Sequence, residues 1–226
     1  MPPVYVARTT EVRHLQLVRA LLAALAAAMI TFTADHSAGF GLAVFSGFTI
    51  TTGLVMILSG WVVYTKGTRA TAVAVGVVSA VAGLVTGVPA VRSITMFFVV
   101  VIGWAVVTGL IEGISGLRGM RRASASPDPR AARSDARDGI VVGAITVLLG
   151  LGLLLVPAQY ALNYTITEAH RTFTLTGIAI AVGVFGGYAA VIAVYLGIAG
   201  FSPRRSTPVV EPAQVAAANP DSEDPA

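Results

Sequence analysis

Cysteine is absent from the 226-residue chain, and charged residues make up only 12% of it. Without cysteine the chain has no disulfide framework, no thiolate nucleophile and no cysteine-based metal site. The scarcity of charge, together with 55% hydrophobic residues and a mean hydropathy of +0.80, excludes an ordinary soluble domain. The composition therefore indicates an integral membrane protein.

Long apolar runs supply the helices that such a protein needs. A helix that crosses roughly 30 Å of hydrocarbon takes about 20 mostly apolar residues. Six segments qualify, at 15–34, 39–63, 70–89, 93–116, 139–157 and 172–201. The first follows basic residues, as a signal peptide would, but no convincing cleavage site comes after it, so we interpret it as a retained helix. The predicted fold is an all-α integral membrane protein with six transmembrane helices.

The distribution of basic residues predicts the orientation. Thirteen Lys and Arg residues fall on the N-terminal arm with the entry to the first helix, on the second and fourth loops and on the tail. The other three loops hold only Arg92 and Arg171. Because cytoplasmic loops retain positive charge, we expect both termini in the cytoplasm. Membrane topology thus explains the basic residues, and no nucleic-acid partner is expected.

Three segments lie outside the predicted spans. Residues 1–14 form a cytoplasmic arm, and residues 117–138 form a polar, basic linker that suits a position near anionic headgroups. The tail, 202–226, contains five prolines and ends with acidic residues. Such a composition buries too little apolar surface to fold, so we predict a disordered cytoplasmic tail. The membrane domain is residues 15–201.

A sequence pattern recurs at an offset of fifty-six residues, over 47–60 and 103–116. We call it the repeated frame: Gly, aromatic, three residues, Thr, Gly, Leu, four residues, Ser, Gly. A fainter third copy has Gly187, Tyr188, Ala199 and Gly200 at the same spacing. The repetition predicts three antiparallel helical hairpins, at about 15–64, 70–116 and 139–201.

These hairpins resemble the HdeD-like short-repeat family of bacterial inner-membrane proteins, whose hairpins run Gly, six residues, Gly, a Pro exit and a Gly-rich aromatic return helix. The second hairpin matches best, from Gly76 and Gly83 through Pro89 to Gly116, whereas the first helix lacks these glycines and the proline. The resemblance covers about residues 15–201. It implies a multi-pass protein of the bacterial inner membrane with a role in acid or envelope stress, and it supplies no catalytic residue.

Glycines at helical spacing are candidates for helix packing, because small residues let helix backbones approach closely in lipid. The alternative is a dimer face, which leaves a homo-oligomer or a membrane-protein partner open beside the lipid bilayer itself. No phosphate-binding glycine loop with its lysine is present, so no cofactor is expected. The candidates are Gly53, Gly60, Gly83, Gly87, Gly109, Gly113, Gly116, Gly139, Gly143, Gly183 and Gly187.

Glu112 is the one acid inside the repeated frame, where the first copy has Met56. It lies four residues from the predicted end of the fourth helix, about 6 Å inside at 1.5 Å per residue. A carboxylate there needs a partner, and Arg19 lies at a comparable depth on the first helix. Two interpretations stay open: a structural role, as an ion pair that pins the first two hairpins together or as two side chains that snorkel separately, and an acid that handles protons.

Histidines beside carboxylates occur on the predicted outer side, as Asp35 with His36 and Glu168 with His170. Such pairs titrate near mildly acid pH and are candidates for sensing external acidification, although solvated helix ends are the plainer interpretation. Three scattered histidines have no metal-ligand spacing, so no metal site is expected.

Three classes of function compete. The first is a non-enzymatic HdeD-like protein that acts in stress tolerance. The second is a small transporter or channel subunit, which the repeats and the intramembrane acid favour and the scarcity of other charges in the spans disfavours. A membrane enzyme ranks last, because no acid, base, nucleophile and metal gather at one interface.

Overall fold

A computed structural model describes residues 4–64, 66–166 and 171–202 of the chain. In this part of the chain the helices are α1 (Val4–Phe32), α2 (Ala38–Val62), α3 (Lys66–Gly87), α4 (Ile94–Arg122), α5 (Pro129–Leu154) and α6 (Gly177–Phe201). Two strands, β1 (Ala161–Ile166) and β2 (Arg171–Thr176), lie between α5 and α6. All six helices are long and apolar enough to cross a membrane. The prediction of a helical, multi-pass membrane protein is therefore confirmed at the level of its helices.

Three helices are longer than the predicted spans by five residues or more. α1 begins at Val4 instead of residue 15, α4 continues to Arg122 instead of 116, and α5 begins at Pro129 instead of 139. The Asp128 side chain caps α5 by accepting the first free backbone N–H groups, at 3.2 and 3.1 Å, and a proline opens the helix. The predicted boundaries are wrong because they followed the ends of the apolar runs, whereas helices continue past them. The arm 1–14 and the linker 117–138 are therefore largely helical within the described residues.

The sixth span also differs from its prediction. Residues 172–176 belong to an antiparallel β hairpin in which Ala161 lies opposite Thr176 and Thr165 opposite Thr172. β-branched and aromatic residues make up half of β1 and two thirds of β2, and such residues favour a pleated backbone. α6 starts only after Thr176, whose side chain accepts the backbone N–H of Ala179 at 3.3 Å. A short apolar run next to a helix carries no periodicity that separates strand from helix. The predicted start at 172 is therefore wrong.

The helices pack as a closed ring. The most extensive contacts join α2 to α3, α4 to α5, and α6 back to α1. The two helices of each predicted hairpin also contact each other, but less extensively. α2, α4 and α6 lie toward the centre, where their aromatic side chains meet. Each central helix therefore packs most closely on the helix that follows it around the ring.

Glycines of the repeated frame make these close approaches possible. A Cβ atom at Gly53 would lie 2.7 Å from the carbonyl oxygen of Gly76 on α3, and one at Gly109 would lie 2.8 Å from that of Gly143 on α5. The last glycine of each copy behaves alike. The neighbours that its Cβ would strike are on α3 for Gly60, on α5 for Gly116 and on α1 for Gly200. A side chain at Gly53, Gly109 or Gly116 would strike the partner's backbone and push the two helices apart, whereas at Gly60 and Gly200 it would first strike side chains of the partner.

Of the seven other predicted packing glycines, four have a neighbouring helix close to the Cβ position and three do not. Gly83, Gly87, Gly139 and Gly143 lie against a neighbouring helix, with a Cβ position 3.5 Å or less from its atoms.

At Gly183 and Gly187 nothing lies within 4 Å of the Cβ position, and the same holds for Gly113, although the backbone of Gly113 contacts Gly143. On α6 it is Gly186 that contacts the helix partner, through Ile30 of α1. One residue turns a helical position by about 100°, so spacing alone chose the wrong face. The prediction that Gly183 and Gly187 pack against another helix of the chain is therefore wrong.

An aromatic cluster fills the middle of the ring, and we define it as Phe45, Phe48, Trp104, Phe185 and Tyr188. Its rings meet mainly edge to face, with centroids 5.3 Å apart for Phe45 and Trp104 and 5.6 Å apart for Phe45 and Phe185. Such geometry directs the positive ring edge at the negative face of the neighbour. The indole N–H of Trp104 donates to Ser79 Oγ of α3 at 3.0 Å. The cluster therefore joins the three central helices, and the Trp104 hydrogen bond links it to α3.

Candidate functional site

The Arg19 and Glu112 side chains meet inside the helix ring. Arg19 Nη2 on α1 donates to Glu112 Oε1 on α4 at 2.8 Å, and the two side chains are only 16% and 10% exposed. The structure thus brings together the two residues that the sequence analysis paired. Glu112 lies ten residues before the end of α4, about 15 Å at 1.5 Å per residue. The distance to the helix end exceeds the predicted 6 Å because α4 continues six residues past Gly116. The depth of Glu112 in the bilayer stays a prediction.

A cavity of about 630 Å³ leads from this ion pair toward the turn between α4 and α5, and we call it the vestibule. Its volume lies within the range of small-molecule sites. Its charged lining residues beyond the ion pair are Arg118, Arg122, Asp128, Asp135 and Asp138, and its apolar lining includes Leu15, Met56, Val63, Ala72 and Leu196. The vestibule therefore has charged side chains of both signs and an apolar wall. We call its closed end, formed by the Arg19–Glu112 ion pair, the floor.

A second, much smaller cavity lies on the other side of the ion pair. It measures about 20 Å³, the size of one water molecule, and Arg19 and Glu112 line it together with polar groups of four other helices. Thr146 Oγ1 and the Tyr188 hydroxyl form a hydrogen bond of 3.1 Å there. Thr52 Oγ1 is buried in this wall and has no hydrogen-bond partner among the described residues. We call this space the inner cavity.

The aromatic cluster ends the polar path. Along α4, Glu112 is followed toward the opposite face by Thr108, then Trp104, then the fully buried Val101 and Phe97. α2 and α6 show the same progression, from polar groups near the ion pair to large apolar side chains such as Phe45 and Phe185. The site is thus accessible from one side of the ring and closed by packed aromatic and aliphatic side chains on the other.

A second polar network supports the vestibule wall. Asp138 on α5 accepts from Gln16 Nε2 of α1 at 2.7 Å and from the Tyr195 hydroxyl of α6 at 2.9 Å. This network is not predicted from the sequence, because Asp138 falls in the segment interpreted as a polar linker. One signal was available: Gln16 interrupts an otherwise apolar run, and a polar residue in a span is expected to find a partner on another helix. The network ties α1 and α6 to α5.

On the opposite face, Asp35 and His36 lie between α1 and α2. Asp35 Oδ1 accepts the backbone N–H of Ser37 at 2.8 Å, and this bond lowers the pKa of the carboxyl below its ordinary value of 3.8. His36 Nδ1 is 3.3 Å from the carbonyl oxygen of Ala34. Glu168 and His170, the other predicted pair, lie outside the described residues. The Asp35 geometry is that of a turn stabilised by a carboxylate.

Asp35→Asn is expected to leave the pH dependence of thermal stability unchanged between pH 5 and 7. A carboxyl whose folded-state pKa is lowered contributes stability at higher pH and loses it only as the pH falls through that lowered value. The wild-type group is therefore ionised throughout the tested range. Melting curves of both proteins at intervals of half a pH unit measure the effect. A profile that flattens in the variant would show that Asp35 senses mild acid.

Comparison with protein-family models, with curated proteins and with solved structures finds no significant match. The HdeD-like resemblance therefore stays a prediction from the sequence. Among the residues that the structure describes, no three His, Asp or Glu side chains gather as metal ligands. What the geometry offers chemically is a pair of opposite, largely buried charges at the closed end of the vestibule.

Proposed function

We propose that this chain is a small, non-enzymatic transporter of the bacterial inner membrane, with both termini in the cytoplasm. The observation that carries the proposal is the vestibule that ends at the Arg19–Glu112 pair, above a centre closed by the aromatic cluster. Residues that serve only helix packing need no such space. A solute would enter from the cytoplasmic side, because the charged rim lies on the side that holds most of the basic residues.

The helix contacts suggest which parts move. Glycine-mediated backbone contact makes α4 and α5 one rigid unit and α2 and α3 another. The link between α1 and α4 depends instead on one ion pair, and the centre depends on side-chain packing. Rocking of whole helix pairs about a fixed central site is how repeat-built transporters alternate access. In this chain the ion pair and the aromatic cluster would be the two contacts that open in turn.

Cysteine accessibility tests the vestibule, and the absence of native cysteine makes every introduced thiol unique. Ser115→Cys, in the vestibule wall, is expected to react with a charged, membrane-impermeant thiol reagent in inside-out vesicles and not in right-side-out vesicles. Ser79→Cys is expected to stay unlabelled, because Ser79 lies beyond the ion pair and is 1% exposed. Mass spectrometry of the intact protein measures the extent of labelling.

Leu58→Cys is the matched control. It lies at nearly the same level of the repeated frame as Ser115, and its side chain is 65% exposed on the outside of the ring. In a bilayer that surface contacts lipid, where a charged reagent does not react. Equal labelling of Leu58→Cys and Ser115→Cys would contradict a water-filled vestibule. Labelling of Ser115→Cys from the outer face alone would contradict the proposed orientation.

A role in acid or envelope stress remains the proposal that the HdeD-like resemblance implies. The transporter proposal is compatible with it, because movement of a solute is one way in which a membrane protein supports stress tolerance. The contacts at Asp35 add no support for acid sensing at the outer surface.

A further inference from the structure

We infer that the vestibule binds a small zwitterion, a molecule with one carboxylate or phosphate and one ammonium group, between Arg19 and Glu112. This inference rests on the proposed function, because it names the solute class of the same site. The ligand's anionic group would face the Arg19 guanidinium, and its cationic group would face the Glu112 carboxylate. One buried ion pair would become two.

The paired charges of Arg19 and Glu112 favour a zwitterion over a solute with a single charge. Arg19 and Glu112 neutralise each other at 2.8 Å, and both are largely buried. A purely anionic solute that captured Arg19 would leave the Glu112 carboxylate unpaired, and a purely cationic solute would leave Arg19 unpaired. An uncompensated buried charge is strongly unfavourable. A zwitterion separates the two side chains without creating one.

Most of the remaining charges around the floor are already engaged or lie at the rim. Asp138 is held by Gln16 and Tyr195, and Asp128 accepts the backbone N–H groups at the start of α5. Arg118, Arg122 and Asp135 are exposed at the rim. Among the side chains that the structure describes, the other ionisable groups nearby are the phenols of Tyr64 and Tyr188, and those of α3 that line the vestibule are Thr71 and Ala72. The rim thus carries both signs of charge and rejects neither end of a zwitterion.

The apolar wall narrows the chemistry further. Leu15, Met56 and Leu196 line the vestibule together with the ion pair. Burial of an aliphatic group against such a wall is favourable at about 25 cal/mol per Å². A free amino acid with an aliphatic side chain presents both charges and an apolar group within a few ångströms. A phospholipid headgroup of the ethanolamine type shares the zwitterionic chemistry but has no such side group.

Fluorescence of Trp104 tests the inference directly. Trp104 lines the inner cavity with Arg19 and Glu112, and the second tryptophan, Trp61, is exposed. In the full-length Trp61→Phe protein, leucine is expected to produce a saturable change in emission. Two analogues each lack one charged group of leucine: 4-methylpentanoate lacks the ammonium and 3-methylbutylamine lacks the carboxylate. Both are expected to bind at least about a hundredfold more weakly than leucine, because each leaves one buried charge unpaired. Glycerophosphoethanolamine serves as the soluble headgroup probe.

The outcomes separate the alternatives. A response to leucine alone assigns a free amino acid, and a response to glycerophosphoethanolamine alone assigns a lipid headgroup; both support a zwitterion site. Equal affinity for leucine and 4-methylpentanoate, tightening as the pH falls, would overturn it in favour of an anion that binds with a proton. No response to any probe would also overturn it.

Variants of the ion pair add a second check. Glu112→Gln and Arg19→Gln are expected to lose the leucine response, whereas the exchanged pair, Arg19→Glu with Glu112→Arg, retains both charges and is expected to restore it in part. If Ser115→Cys is labelled from the cytoplasmic side while no probe binds, the zwitterion inference fails and the proposed function stands. If Ser115→Cys is unlabelled, the proposed function fails first.

Discussion

Replacing Arg19 with glutamine is expected to lower the free energy of unfolding by about 3 to 5 kcal/mol, the usual cost of removing one partner from a buried ion pair. The Glu112 carboxylate, with its side chain 10% exposed, would lose its 2.8 Å contact and remain buried. Glu112→Gln is expected to cost a similar amount, since it strands the guanidinium. Denaturant titration of the detergent-solubilised protein, followed by circular dichroism, measures both changes.

A double-mutant cycle tests whether the two residues act as a pair. Combining Arg19→Gln with Glu112→Gln is expected to cost less than the sum of the single variants, with an interaction energy of up to about 3 kcal/mol. Arg118→Gln is the control, because this arginine is exposed at the vestibule rim and its replacement is expected to change stability by no more than about 0.5 kcal/mol. Additive single effects would contradict a structural ion pair. Lost proton flux in vesicles with unchanged stability of Glu112→Gln would instead identify a proton-handling acid.

Gly143 and Gly183 were both predicted to pack against another helix, but replacing each with alanine is expected to change the free energy of unfolding in opposite directions. A Cβ at Gly143 would lie 2.5 Å from the backbone N of Gly113 and 2.6 Å from the carbonyl oxygen of Gly109. Gly143→Ala must therefore separate α4 from α5, at a cost of about 1 to 3 kcal/mol. Gly183→Ala meets nothing within 4 Å and is expected to stabilise α6 by about 0.5 to 1 kcal/mol through helix propensity.

Thermal unfolding in the same detergent compares the two glycine variants. For a chain of this length, 1 kcal/mol corresponds to about 2 to 4 °C in melting temperature, so the two variants should differ by several degrees. Gly103→Ala provides a second open position, on α4 itself. A destabilised Gly183→Ala would indicate that its open face is covered by another copy of the chain, which is the dimer alternative that the sequence left open.

The sequence predicted the membrane helices well because the requirement is simple. A span needs about 20 apolar residues, and that length is read directly from the chain. The contacts of Gly53, Gly109 and Gly116 also agree with their predicted packing role, because the repeated frame places them on one helix face. Prediction failed where the polypeptide leaves the bilayer. At Asp128 and Pro129 the helix start depends on capping, and the capping signal was present but was outweighed by the polar composition.

The site could be predicted only in part. A charge in an apolar run demands a partner, and few candidates exist, so Arg19 and Glu112 could be matched from their positions alone. The vestibule could not, because it depends on how far α4 and α5 extend and on the turn between them. The order of the helices around the ring could not be predicted either, because α1 and α6, which contact each other, are far apart in the sequence.

That last contact sets the order of assembly. Among these six helices, α1 is synthesised before the others, but its main packing partner is α6, which is synthesised after them. The small, buried face of α1, formed by Ala20, Ala23, Ala26 and Ala27, must therefore wait in lipid until synthesis of the membrane domain is complete. Arg13 Nε, which reaches the carbonyl oxygen of Gly200 at 2.9 Å, closes the ring only then. A nascent chain that does not yet contain α6 therefore exposes this face of α1, which α6 covers in the complete ring.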